Sequence, residues 1–330
     1  MISLRILTSS DIVQALPMAQ AIEGMKQAYA QLSTGQVSMP LRSRIEIPAC
    51  DGVTLFMPVH VTGSNDLAVK VVSVFGQNPR RNLPLLHAVV LALDAETGQP
   101  VALLEGNTLT AIRTGAGSGA ATDLLARPDA AVVAILGSGT QARTQLEAVC
   151  TVRSIRSVRV YSPNPAHVEA FVREMAGKGP IPQDVRGVST PQEAVQGADI
   201  ICTATNSATP VFEGRYLKAG AHINAIGSYT TEMQEVDAET VRRALVVVDA
   251  RESVLAEAGD LVIPLQRGEI TLEHIHAELG EIIAGHKPGR TSPEQITYFK
   301  SCGVAVQDAV AARIALERAT AACLGTVVTL

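Results

Sequence analysis

Two features of the 330-residue chain have residue types and spacing suited to chemistry: a glycine turn after an apolar run, and a lysine inside another apolar run. Residues 130–150 read AAVVAIL, GSGTQA and RTQLEAVC. A continuous apolar run closed by glycine predicts a buried parallel strand, and Leu146, Val149 and Cys150 predict one face of a following helix. Gly137, Gly139 and Ala142 fill the three small positions of a dinucleotide turn. One makes the turn, one admits a diphosphate to the backbone, and one lets the helix pack closely. Free N–H groups at the helix start then face the diphosphate. A glycine turn follows many buried strands, so context decides, and here strand, turn and helix come in the order a cofactor site needs.

In an NAD-binding unit a carboxylate ~20 or more residues after the first glycine accepts bonds from the ribose hydroxyls. No Asp or Glu lies between Ala148 and Val168, where Arg153, Arg156 and Arg159 appear instead. The second strand ends in Tyr161-Ser162-Pro163-Asn164, and Ser162 and Asn164 are able to donate to a 2′-phosphate. NADP(H) is therefore expected in preference to NAD(H), with ordinary turn residues and solvated arginines as the competing reading.

Lys70 stands in LAVKVVSV with apolar neighbours on both sides. A lysine there is costly unless paired or functional, and a snorkelling edge-strand lysine is the alternative. Arg113 falls at the expected junction of two domains, where substrate clefts form. Arg42, Lys70 and Arg113 would give a small carboxylate three cationic partners, since a guanidinium grips both carboxylate oxygens. Sequence spacing alone does not bring the three together. His87 is either a cleft residue or a satisfied core histidine.

The elements that must position these groups divide into two patterns. Ser10 and Asp11 precede a helical pattern through Ile12, Leu16, Met18, Ile22, Met25 and Tyr29 that stops near Gly35. Val- and Ile-rich pieces follow (RSRIEIP, GVTLFMPVHV, LAVKVVSVFG, LHAVVLALD, PVALLEG), separated by turn signals, and predict an antiparallel sheet. LTAIRTGAGSGAATDLLA predicts a helix whose glycines allow close approach to another backbone. Strands and helices then alternate, which specifies a doubly wound parallel sheet of about six strands. A helix over residues 271–285, a short strand ITYFK and an Ala-rich helix from about Gly303 to Leu324 complete the chain. The fold class is α/β: a Rossmann-type domain over residues 120–303, and an α+β domain over residues 1–119 completed by residues 304–330.

At 47% hydrophobic and 18% charged residues the chain has the composition of a globular protein with a large core. A net charge of −5, no Trp and 3% aromatics leave no basic stripe or stacking platform, so nucleic acid is not an expected partner. No long apolar stretch or signal-peptide core appears, and a soluble cytoplasmic protein without a membrane segment is expected. Five scattered cysteines, mostly within apolar runs, read as reduced core residues. The close pair His274 and His276 is spaced i, i+2, off a common helix face, and no metal site is expected.

The segments LRSR, LAVKVVS, LEGNTLTAIRTGAGS, ILGSGTQARTQLEA, GAHINAIGSYTTEMQEVD, EAGD and FKSCGVAVQD, in this order over nearly the whole chain, resemble the ornithine cyclodeaminase/mu-crystallin family. The resemblance implies a homodimer with a substrate-holding amino-terminal domain and a central nicotinamide domain. It implies carboxylate binding by Arg42, Lys70 and Arg113, with Arg44 a second candidate because LRSR offers two arginines for one role. It implies cofactor contacts from Gly137, Gly139, Thr140, Gln141, Ala142, Thr203, Thr205, Ser301 and Gly303. The cyclodeaminase and alanine dehydrogenase branches carry an aspartate two residues beyond the HINAIG glycine, where this chain has Tyr229. That resembles the ketimine reductase and Δ1-pyrroline-2-carboxylate reductase branch. The expected activity is NAD(P)H-dependent reduction of a cyclic imino acid, with Lys70 and Arg113 catalytic and Tyr229 beside the substrate. The alternatives are an ornithine cyclodeaminase with bound NAD, an open-chain imino acid reductase of the alanine dehydrogenase kind, and a non-catalytic NADPH-binding crystallin. A carboxylate base for cyclisation would then have to come from elsewhere, for instance Glu232 or Asp260.

Overall fold

The structure, a computed structural model, describes residues 2–330. The chain forms two compact units, one running to Arg113 and resuming at Val304, the other Thr114–Gly303.

The first unit begins with β1 (Ser3–Leu7), α1 (Ser9–Ala15) and α2 (Met18–Ser33). Its single long helical pattern is in fact two helices, because Pro17 has no N–H to continue the first. The cap is Thr8, whose hydroxyl accepts from the Asp11 N–H while the Asp11 carboxylate accepts from the Thr8 N–H. Then come β2 (Val37–Ser38), β3 (Ser43–Ile47), β4 (Gly52–Val61), β5 (Asp66–Phe75), β6 (Leu86–Asp94), β7 (Pro100–Glu105) and α3 (Gly106–Leu125), which carries the chain into the second unit. The sheet runs Thr326–Thr329, β1, β7, β6, β5, β4, β2, with β3 also on β4. All its pairs are antiparallel except β1 with β7. Ser3–Leu7, Val37–Ser38 and Thr326–Thr329 are additions to the sheet read from sequence. The carboxy-terminal helix spans Ala305–Ala321, shorter than expected, and the chain turns out of it at Cys323 with φ +53°.

One face of this sheet packs against Ala305–Ala321, which packs in turn against α2. Strand periodicity puts Met57, Val59, Ala68, Lys70, Val72, Ala88 and Val90 on that buried face. The other face carries Phe56, Pro58, Val69, Val71, Val89 and Leu91, none of them buried, and Val89 is 43% exposed. His87 lies exposed on this second face, opposite in parity to Lys70, so it is neither a core histidine nor a neighbour of that lysine.

The second unit holds β8 (Val132–Leu136), β9 (Ser157–Tyr161), β10 (Val185–Gly187), β11 (Ile200–Thr203), β12 (His222–Ala225), β13 (Ala244–Val248), β14 (Ile275–Glu278) and β15 (Ile296–Lys300). Their order is β10, β9, β8, β11, β12, β15, β13, β14, and every pair is parallel. The first five positions are those of a Rossmann-type sheet. Val133 and Ile135 enter one apolar core while Ala134 and Leu136 enter the other, as a strand covered on both faces requires. The sheet has eight strands: the six read from sequence, the separately read ITYFK as β15, and β14, which was not read. Residues 271–285 are not one helix: a short 3-10 turn leads to β14, which pairs with β13, and only Leu279–Ile283 is α-helical.

Of the five cysteines only Cys150 and Cys202 are buried, Cys323 is exposed, and none forms a disulfide. Among the described residues no helix is long and apolar enough to cross a membrane, and no His, Cys, Asp or Glu group of three is placed to hold a metal.

The glycines of α3 do allow a close crossing. A Cβ on Gly115 would lie 2.6 Å from the Thr144 carbonyl oxygen in α4 (Thr140–Val152). Alanine favours a helix interior over glycine by ~1 kcal/mol, but overpacking against backbone costs about 1–3 kcal/mol. Gly115→Ala is therefore expected to lower the thermal unfolding temperature, and a rise would contradict the crossing.

Candidate active site

In the second unit the candidate nucleotide-binding residues lie at the strands' carboxyl ends. Gly137 leaves β8 with φ +110°, a conformation that suits glycine, and its N–H donates to the Tyr161 carbonyl at 2.9 Å. A Cβ there would strike the Ala204 carbonyl, so the position admits only glycine. Gly139 is the N-cap of α4 and no side chain caps the helix. A Cβ on Gly139 would meet nothing within 4 Å, and Gly139 and Thr140 are exposed. The first-turn N–H groups thus face open space with the positive end of the helix dipole behind them. Ala142 is fully buried, as close helix packing needs, and the side-chain oxygen of Gln141 is buried without a hydrogen-bond partner. An open, uncapped helix start fits a dinucleotide diphosphate.

Arg143 braces this loop and was not legible in the motif. Its guanidinium donates to the Ser138 and Gly139 carbonyls at 2.6 and 3.1 Å, pairs with Glu174 and stacks over Phe171. Asn164 caps α5 (Pro165–Met175), accepting from the Ala166 N–H, which leaves its amide N–H groups for other partners. Ser162 is half-buried beside it. Arg153 is turned away, onto Asp123 and the carbonyls that end α3, and Arg159 donates to the Glu193 and Gln196 carbonyls. Both arginines cap helix ends and neither is a spare cation for a phosphate.

Buried carboxylates fasten the remaining strand ends. Glu235 accepts from the Thr205 N–H at 2.6 Å, the Gly227 N–H at 2.6 Å and the Thr203 hydroxyl at 2.9 Å, joining the ends of β11 and β12. Burial and the nearby Asp260 push its carboxyl up. Asp260 accepts from the Glu235 and Val236 N–H groups and pairs with Lys300 at 3.0 Å. Asp249 accepts from the Ser301 hydroxyl and the Cys302 and Gly303 N–H groups, holding that turn after β15. Thr203 and Ser301 therefore direct their hydroxyls at carboxylates of the protein. Asp260, considered from sequence as a loop base, is wholly buried with two backbone N–H groups and Lys300 as partners, and Glu232 is exposed with Thr231 donating to it. Tyr229 is 41% exposed on the loop after β12.

The first unit holds the cations. Lys70 lies between Met57 and Val90 in the sheet register and is 2% exposed. Its ammonium pairs with an Asp308 oxygen at 2.7 Å, and the Arg113 Nε donates to the other Asp308 oxygen at 2.9 Å. Arg113 also donates to the Gln307 side-chain oxygen at 3.0 Å, while the Gln307 amide donates to the Tyr29 hydroxyl at 2.8 Å. Burial, foremost, and the Arg113 charge pull Lys70 down to about 8; Asp308 opposes this and Arg42 adds to it. The structure thus brings Lys70 and Arg113 together and sets Arg42 close enough for its charge to be felt. Arg44 goes elsewhere: it is 61% exposed on β3 and pairs with Glu46 at 3.0 Å. Asp308 and Gln307 were not read as site residues, although both stand among apolar residues in VAVQDAVAA.

A model of the ornithine cyclodeaminase/mu-crystallin family matches residues 3–322. The chain belongs to this family. A Δ1-pyrroline-2-carboxylate reductase of Bacillus cereus is 40% identical to it over 303 residues, 92% of either chain. The structure of Thermococcus litoralis Δ1-pyrroline-2-carboxylate reductase in complex with NADH and L-proline is 43% identical, with a TM-score of 0.94 over 98% of this chain and 99% of that one. An archaeal alanine dehydrogenase dimer with bound NAD is 32% identical, with a TM-score of 0.93 over 100% of both chains. The Rossmann-type α/β fold and the family membership agree with the reading from sequence.

The Glu235 carboxylate is the acceptor for three donors at once. Glu235→Ala leaves them unpaired at ~1–3 kcal/mol each where burial is complete, so a loss of about 3 kcal/mol is expected in chemical unfolding. Unchanged stability would show that the strand ends do not depend on this carboxylate.

Proposed function

We propose that this protein reduces cyclic imino acids with NAD(P)H, taking Δ1-pyrroline-2-carboxylate or Δ1-piperideine-2-carboxylate to L-proline or L-pipecolate. The observation that carries the reading is the buried Lys70, poised near pH 8 beside Arg113 and Arg42. It is supported by relatives named for this reaction over nearly the full length of the chain. Arg113 and Arg42 hold the substrate carboxylate, and Lys70 presents its Nζ proton to the imine nitrogen. The nicotinamide, when bound, supplies a hydride to the imine carbon. One hydride and one proton convert C=N to CH–NH, so the lysine needs to give a proton and recover it from solvent between turnovers. Gly137, Gly139, Thr140, Gln141 and Ala142 form the diphosphate cradle, with Thr205, Ser301 and Gly303 lining the strand ends and Thr203 supporting them through Glu235.

Cyclisation of ornithine is disfavoured on this reading, because it needs a carboxylate to deprotonate the distal amine. Tyr229 stands at the family's aspartate position and a phenol is neutral at working pH. Asp308 is already committed to two cations.

NADP(H) is the preferred cofactor on the same reading. The end of β9 lacks an acid that would repel a 2′-phosphate, and Ser162 and the Asn164 amide are free to donate to one. The uncovered sheet face of Phe56, Val69, Val71, Val89 and Leu91 is apolar enough to be covered by a second copy, which supports a homodimer. A cytoplasmic location is in keeping with five cysteines outside any disulfide.

The test follows coenzyme oxidation with cyclic imines and open-chain oxo acids, with and without ammonia. Reduction of a cyclic imine without ammonia, at a higher kcat/KM with NADPH than NADH, is expected. Sustained ammonia and proline release from L-ornithine, with no imine reduction, would restore the lyase. Lys70→Ala and Arg113→Ala should each lose about one to two decades in kcat/KM while NADPH still binds, since a charge-assisted bond is worth ~1.5–3 kcal/mol. Sedimentation should give a dimer, and Val89→Asp should weaken it; a monomeric wild type at micromolar concentration would contradict the covered face.

A further inference from the structure

Resting on the reductase reading, a further residue is assigned from the geometry of the cation cluster. Asp308 is 1% exposed and sits in the first turn of Ala305–Ala321, where the helix dipole favours a negative charge. Its two oxygens are divided, one to the Lys70 ammonium and one to the Arg113 Nε. Gln307, the preceding residue, fixes the other side of Arg113 and is itself held by Tyr29 and by the Val304 N–H. We infer that Asp308 is a positioning residue: its carboxylate holds Lys70 and Arg113 at a fixed separation and keeps on Lys70 the proton that the imine nitrogen takes.

The physical need is plain. Two buried cations repel one another, and each also disfavours the charged form of the other. The groups facing Lys70 are Asp308 from the carboxy-terminal helix, Arg113 from α3, and Arg42 from the segment before β3. Its strand partners Met57 and Val90 are apolar, and the next pair along, Asp66 with Arg313, is closed on itself at 3.1 Å. Asp308 is thus the carboxylate that opposes burial and two positive neighbours. Removing its charge leaves nothing in this set to favour the lysine's proton.

The experiment compares wild type, Asp308→Asn and Asp308→Glu as full-length protein with NADPH and Δ1-pyrroline-2-carboxylate from pH 6 to 10. In Asp308→Asn the alkaline limb of kcat/KM should move down by about one pH unit or more, the size of an opposite-charge effect. At pH 9 kcat should fall tenfold or more, whereas at pH 6 most of it should return. KM for the imino acid should not rise, because the variant removes a negative charge beside an anion site; Arg113→Ala raises KM instead. Asp308→Glu should restore a limb close to that of wild type. A uniform loss with an unmoved limb, or no loss, would overturn the assignment.

A second reading does not need turnover. The Lys70 value of about 8 lies below its ordinary 10.5, so between those pH values the unfolded chain holds the extra proton and stability rises with pH. In Asp308→Asn the rise should begin at lower pH, and Lys70→Met should remove it on either background. A rise beginning at the same pH in both would overturn the assignment even if wild type reduced no imine, an outcome that would separately dismiss the reductase reading. If neither Asp308→Asn nor Asp308→Ser folds to bind NADPH, Asp308 serves the fold alone and the assignment fails.

Discussion

The charge cluster of the first unit follows from placing one ammonium group in the apolar interior of a sheet. Lys70 is flanked along its strand by Val69 and Val71 and across the sheet by Met57 and Val90, and is 2% exposed. Such a charge survives only with a partner, and breaking a buried pair typically costs 3–5 kcal/mol. The partner arrives from the far end of the chain, in the first turn of Ala305–Ala321. The carboxy-terminal helix therefore returns to the first unit to complete a charge cluster as well as a core. Arg113 joins the same carboxylate, which keeps the cluster net positive.

The second unit solves a related problem with the opposite sign. A parallel sheet leaves its strand ends as loops, and those loops must be rigid if they are to position a cofactor. Glu235 supplies rigidity by accepting backbone N–H groups from the ends of two strands, Asp249 by accepting from the turn after β15, and Asp260 by accepting from Glu235 and Val236 in the loop that carries Glu235. Lys300 balances part of this negative charge at 3.0 Å from Asp260. The hydroxyls of Thr203 and Ser301, which motif comparison alone would aim at a ligand, are part of the same framework.

How much was legible in the sequence depended on whether a residue broke its local pattern. Lys70 did, because a charge inside VxV alternation has no ordinary surface explanation, and the glycine turn did, because strand and helix flank it in the required order. Asp308 did not stand out: an acid in a helix's first turn is the commonest dipole-favoured arrangement. The signal was its surroundings, since Val306, Ala309, Val310, Ala311 and Ala312 are all buried and a helix apolar on every side has no surface for an acid to face. Glu235 left no trace, because an acid in a polar loop is unremarkable until the backbone N–H groups around it are placed. β14 was hidden by the helical period of TLEHIHAELGEII, which pairing with β13 overrides. Likewise Arg44 and Arg42 were equivalent until the register of β3 sent Arg44 toward Glu46.

The Lys70 ammonium is held in a buried charge cluster that brings its proton within reach of neutral pH. This is tested most directly by carbon-13 NMR of lysine-labelled protein titrated from pH 6 to 11, with Lys70→Met identifying the signal. A resonance should titrate near pH 8, move further downward in Asp308→Asn, and be absent from Lys70→Met. A Lys70 signal titrating with the ordinary lysines near 10.5 would contradict it.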